Sequence, residues 1–175
     1  MKILSRVLLS LAACFGLGMA GVAAPSDSAP GASAPAIALD VSQAAPRQVE
    51  DSTVRAITRD YGRAWQALAA ALGQNRADLL PEGFVGVARQ KLSERIAEQQ
   101  RSGLVTRVID HGHRLQAVFY SPEGSAMELR DTARYEIQLV DGGSVVSTET
   151  VTASYAVLMT VTDDRWKVRV LQETE

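Results

Sequence analysis

The stretch Met127-Glu128-Leu129-Arg130-Asp131-Thr132-Ala133-Arg134-Tyr135-Glu136-Ile137-Gln138-Leu139 decides the fold. Its odd-numbered residues are apolar except Asp131, and its even-numbered residues are charged or polar. A period of two over that length is a β-strand with one face on a core and one in water. The same period continues downstream. Asp141-Gly142-Gly143 is a tight turn into a strand where Val151, Ala153, Tyr155, Val157, Met159 and Val161 alternate with Thr150, Thr152, Ser154 and Thr160. Asp163-Asp164 turns again, and Trp166, Val168 and Val170 alternate with Arg165, Lys167 and Arg169 in a last strand. Upstream, Val105 to Tyr120 reads as the first strand, with a bend at His111-Gly112-His113 and a turn at Ser121-Pro122-Glu123-Gly124. Short hairpin connections make sequence neighbours into spatial neighbours, so these strands predict a four-stranded antiparallel meander.

The apolar face of the meander needs a cover, and the preceding segment supplies it. Val54, Ile57, Tyr61, Ala64, Trp65, Leu68 and Leu72 recur at helical spacing, with Asp51 or Ser52 to cap the start and Gly73 to close the end. Gln74-Asn75-Arg76 is a polar turn, and a further turn around Ala77 to Leu80 stops at Pro81. Phe84, Ala88, Leu92 and Ile96 mark a second amphipathic helix that Gly103 ends. Helices first and strands afterwards give an α+β domain, with N-terminal helices packed on a strongly curved four-stranded sheet.

The chain of 175 residues divides into a leader over 1–23, an Ala/Pro/Ser-rich disordered linker over 24–48 and one domain over 49–175. Lys2 and Arg6 precede an apolar run from Val7 to about Ala20, and small residues at Ala20, Ala23 and Ala24 suit signal cleavage. This reads as a secretory signal and predicts a periplasmic or secreted product. Leu11-Ala12-Ala13-Cys14 offers an alternative, a lipobox in which Cys14 is acylated and the domain is a membrane-anchored lipoprotein. In the linker, the alternation Ile37, Leu39, Val41 would suit an edge strand if docked; the plainer reading is a flexible tether.

Composition removes several classes of function. The formal charge is −2, more acidic still without Lys2 and Arg6, and the basic residues do not cluster as a phosphate backbone requires. Nucleic acid is not an expected partner, and a membrane is one only through a lipidated Cys14. That cysteine is the only one in the chain, so the domain has no disulfide, no thiol chemistry and no cysteine-bound zinc. There is no GxSxG, phosphate-binding glycine loop or HExxH. No cofactor or metal is expected.

Helices followed by a curved meander that closes on Arg165-Trp166-Lys167-Val168 resemble the cone-shaped nuclear-transport-factor-2-like superfamily over Val54 to Glu173. Arg63-Ala64-Trp65 with Ala70-Ala71-Leu72-Gly73, Tyr120 to Ala126, and Asp131-Thr132-Ala133-Arg134-Tyr135 are similar to the IMS-type domains of plastid-division and mitochondrial import proteins. The superfamily includes ketosteroid-isomerase-like and SnoaL-like enzymes beside catalytically silent binding domains, so the resemblance implies a fold and no single activity. In its enzymes an inward acid or histidine transfers protons.

Asp131 is the candidate for that role, because it alone breaks the apolar face of its strand and a carboxylate aimed inward is costly unless paired. The bland alternative pairs it with a core tyrosine, a backbone amide or an arginine. His111 and His113 share a face if their strand runs straight and would then assist Asp131; a bend at Gly112 would leave them solvated at a rim. Tyr61, Trp65, Tyr135 and Tyr155 fall on core-facing positions and are candidates to line an apolar pocket. The leading expectation is a non-catalytic domain of the cell envelope that binds a protein partner or an apolar small molecule, with a homodimer through the sheet as a further arrangement. The alternative is a small cofactor-free SnoaL-like isomerase, dehydratase or hydrolase using Asp131.

Overall fold

The computed structural model describes residues 35–174. The expected leader, Cys14 and the first part of the linker lie outside the described residues. The alternating stretch is β3, Ala126–Asp141, the middle strand of a single five-stranded sheet. Its partners are β2 (Val105–Tyr120) on one side and β4 (Ser144–Thr162) on the other, and β4 pairs with β5 (Arg165–Thr174). All three pairings are antiparallel, and the sheet is curled without closing.

The count of four strands needs correction. Ile37–Asp40, placed above in a disordered linker, forms β1 and pairs parallel with β2 from His113 to Gln116. Ile37 and Leu39 turn inward and are half-buried, while Ala38 and Asp40 are exposed. The chain after β1 is also held. The Tyr120 N–H donates to the Ala45 carbonyl at 2.9 Å, and the Arg47 guanidinium lies 5.3 Å from the centre of the Tyr120 ring. Four residues of weak alternation carry little signal by themselves; the free edge of β2 supplies the hydrogen bonds that order them.

Two helices cover the inner face of the sheet: α1, Asp51–Gly73, and α2, Gly86–Ser102, which lies toward β5, joined by a 3-10 turn over Ala77–Glu82. The N-cap of α1 is Glu50, one residue before the expected caps. Ile57, Tyr61, Ala64 and Ala71 of α1 are fully buried, as are Met127, Leu129 and Ala133 of β3 and Met159 of β4. Gly83 permits the connection, because a Cβ there would stand 2.3 Å from the Ala64 Cα. The β5 end of the sheet is tied to α1 by Asp60, a buried carboxylate that accepts the Trp166 N–H at 3.1 Å and the Arg59 guanidinium at 2.8 and 3.0 Å. Burial pushes the Asp60 pKa up, but the bonds from Arg59 and the Trp166 amide outweigh it and hold the carboxyl below its ordinary value.

Candidate functional site

Where the pattern of β3 breaks, four polar side chains meet inside the protein. Asp131 points between sheet and helix, and its Oδ2 accepts the Tyr61 hydroxyl at 2.7 Å. The same oxygen lies 2.9 Å from His113 Nδ1, and His113 Nε2 lies 3.2 Å from Asp110 Oδ2. The side chains of His113 and Asp131 have 0% solvent exposure, and Asp110 has 14%. Asp131 Oδ1 is buried without a partner.

The backbone of β2 explains why Asp110 and His113 can meet. Residues three apart in a regular strand point to opposite faces. Register shifts between Asp110 and Gly112, leaving His111 as the extra residue of a β-bulge. Gly112 takes φ +124° there, and a Cβ on it would stand 2.7 Å from the Ala36 carbonyl oxygen of the β1 side. Asp110 braces the bulge, since its Oδ1 accepts the Gly112 N–H at 2.8 Å while Oδ2 faces His113. His111 is therefore exposed, and the structure brings only one of the two candidate histidines to Asp131. The reading in which both share a face holds only for a straight strand.

A ring with a carboxylate oxygen at each nitrogen is satisfied at both as the imidazolium. Burial pulls the His113 pKa down, but hydrogen bonds and charge from Asp110 and Asp131 outweigh it and hold it at about 9. Trp65 packs against this ring at 4.5 Å between centroids, tilted by 48°, and Tyr61 meets it edge-on at 5.3 Å. Burial, with the Asp131 charge next, drives the Tyr61 pKa well above its ordinary value. Tyr61 thus stays a neutral donor. Tyr135 and Tyr155 join their hydroxyls at 2.7 Å on the far side of Trp65. Of the four candidate aromatics, Tyr61 and Trp65 pack on His113, and Tyr135 and Tyr155 pack in turn on Trp65.

The opposite face of the sheet is built differently. An open groove of about 640 Å³ lies there, lined by Arg114, Gln116, Glu128, Arg130, Thr132 and Ser154, and Asp131 and Tyr155 also border it, although the Asp131 side chain is buried. Thr132 stands directly between Arg114 and Ser154 in the strand register. Among the described residues there is no cluster of His, Cys, Asp and Glu suited to a metal, and no helix is long and apolar enough to cross a membrane. Sequence reasoning placed Arg130, Thr132 and Arg134 on the outward face without assigning them a role. It missed Asp110 and Asp60, whose partners come from a bulge and from a distant strand.

No protein-family model and no curated protein matches the sequence. Among solved structures, the intermembrane space region of chloroplast protein ARC6 superposes with a TM-score of 0.61 at 19% identity, covering 73% of this chain and 98% of that one. A scytalone dehydratase candidate from Novosphingobium aromaticivorans gives 0.46 at 14% identity, over 71% and 85% of the two chains. The domain has the nuclear-transport-factor-2-like fold.

Proposed function

We propose that the chain is an exported, non-catalytic binding domain of the cell envelope that engages a protein partner through the solvent face of its sheet. The observation that carries this reading is the contrast between the two faces of β3. Proton transfer needs a base within reach of substrate, directly or through one water. Asp131 and His113 are at hydrogen-bond distance from each other but have no solvent exposure, and their nitrogen and oxygen atoms are largely committed to one another. The groove, by contrast, is open and carries charged and hydroxyl side chains among its apolar ones. The basic and apolar leader and the similarity to a domain described as an intermembrane space region both support an envelope location.

One observation favours the enzymatic alternative: the unpartnered Asp131 Oδ1 beside His113. A SnoaL-like enzyme would need an opening from solvent to that atom.

A photo-crosslinking residue at Thr132, compared with one at the exposed Glu98 of α2, tests the binding reading in the native host. A discrete adduct from Thr132, absent from Glu98 and competed by excess unlabelled protein, is expected. Adducts from neither position, or equally from both, would sink the reading. Mass spectrometry of the mature N-terminus tests export: loss of the leader or a diacylglyceryl Cys14 supports it, and an intact Met1 contradicts it.

A further inference from the structure

The solvent face of β3 carries an ordered sequence of charges. Glu128, Arg130, Thr132, Arg134 and Glu136 follow one another on that face, with negative residues outside, positive ones inside and a hydroxyl at the centre. Arg130 and Arg134 are four residues apart, about 13 Å along the strand, and Thr132 lies midway. Arg114 is the register partner of Thr132 on β2 and Ser154 is its partner on β4. Three guanidinium groups therefore surround two adjacent hydroxyls, and Arg114, Arg130, Thr132 and Ser154 all line the groove.

Among the described residues Arg47, Arg59, Arg76 and Arg165 each pair with a carboxylate, while other arginines, Arg55 and Arg89 among them, do not, so it is the grouping of Arg114, Arg130 and Arg134 on one face of the sheet that sets them apart. Arg114, Arg130 and Arg134 are exposed and make no ion pair or hydrogen bond among the described residues. Glu128 and Glu136 sit two residues away on the same face, within reach of a long side chain, yet neither pairs with these arginines, and Glu136 accepts instead from the Gln138 side-chain amide at 2.7 Å. The charge of the centre is left for something else.

We infer that the groove and the strand face beside it receive an extended protein segment with acidic side chains at its centre and basic ones at its flanks, its carboxylates held by Arg114 and Arg130 in the groove and by Arg134 further along the same face, over Thr132 and Ser154. Arginine suits this because its planar fork grips a carboxylate with two parallel hydrogen bonds. The flanking glutamates and Asp40, at the β1 rim of the groove, select against a uniformly anionic surface such as a phospholipid bilayer. They attract the basic flanks of a protein segment. The inference rests on the proposed binding role of this face and adds the chemistry of the partner.

The test uses the full chain and the peptide Lys-Thr-Glu-Thr-Ser-Thr-Glu-Thr-Lys, which places complementary charges at alternate positions. Its control exchanges every Lys with every Glu. Nuclear magnetic resonance titration should show the first peptide binding with a dissociation constant of about 1 mM or tighter, with shifts at Arg114, Arg130, Thr132 and Ser154. The control should bind roughly tenfold more weakly, and the Arg130→Ala/Arg134→Ala variant should lose the preference while keeping its unfolding temperature. Equal binding of the two peptides, no binding at about 1 mM, or shifts confined to another surface would overturn the inference. If the Thr132 crosslink survives in the double arginine variant, the face still binds a partner and only the acidic chemistry fails. If that crosslink is absent in the unmodified background too, the binding role itself falls.

Discussion

The two faces of β3 solve the same problem in opposite ways. On the inner face a carboxylate and an imidazole, both costly to bury, are paired with each other, with Asp110 and with Tyr61 until almost nothing is left over. On the outer face three guanidinium groups, which water would hydrate in any case, remain unpaired, two of them along a groove. Charges inside a protein are retained when partners satisfy them, and breaking such a group is expensive. Charges on the surface contribute little to stability and are free to recognise something else. The difference separates residues that hold the fold from residues available for binding, although they alternate along one strand.

The comparison breaks most visibly at Asp131. Asp131→Ala leaves His113 charged against one carboxylate and strands the Tyr61 hydroxyl, so a loss of about 3–5 kcal/mol of stability is expected in denaturant unfolding. A loss under about 1 kcal/mol would mean that the pairing is not structural.

The pH dependence sharpens the same point. The His113 pKa is raised from 6.5 to about 9 on folding, so its contribution is fully present below 6.5 and fades as pH rises through about 9. Stability measured from pH 6 to 10 should fall by a few kcal/mol, in proportion to that shift. His113→Gln should flatten this part of the curve.

Asp60 offers a smaller test on the inner side. Asp60→Ala leaves the buried Trp166 N–H without its acceptor and should cost about 1–3 kcal/mol in the same assay. The smallest effect belongs to the outer face: Arg114→Ala should change stability by less than about 0.5 kcal/mol. Peptide binding should report that substitution instead.

The legible parts of this fold were those with a long regular period. The alternation of β3 and the spacing of Ile57, Tyr61, Ala64, Trp65 and Leu68 define sheet and helix because each repeats over many residues. Asp131 was legible for the same reason, as an exception to a clear rule. Asp110 was not, because one extra residue at His111 shifts the phase of β2 and exchanges its faces. Gly112 was the available signal: a glycine within an alternating run marks a bulge as readily as a bend. β1 was hidden by its brevity and by a parallel partner some 75 residues away in sequence, a pairing that only the free edge of β2 creates. Asp60 lies on the buried stripe of α1 beside Tyr61, and its partner Trp166 is 106 residues distant.

The most direct test of the division between faces follows two sets of side-chain resonances during one titration with the acidic-centred peptide. The account predicts that the Arg114 and Arg130 guanidinium signals shift in a saturable way while the His113 ring signals stay fixed. Movement of the His113 ring with the arginine signals unchanged would place the ligand inside the fold and contradict it.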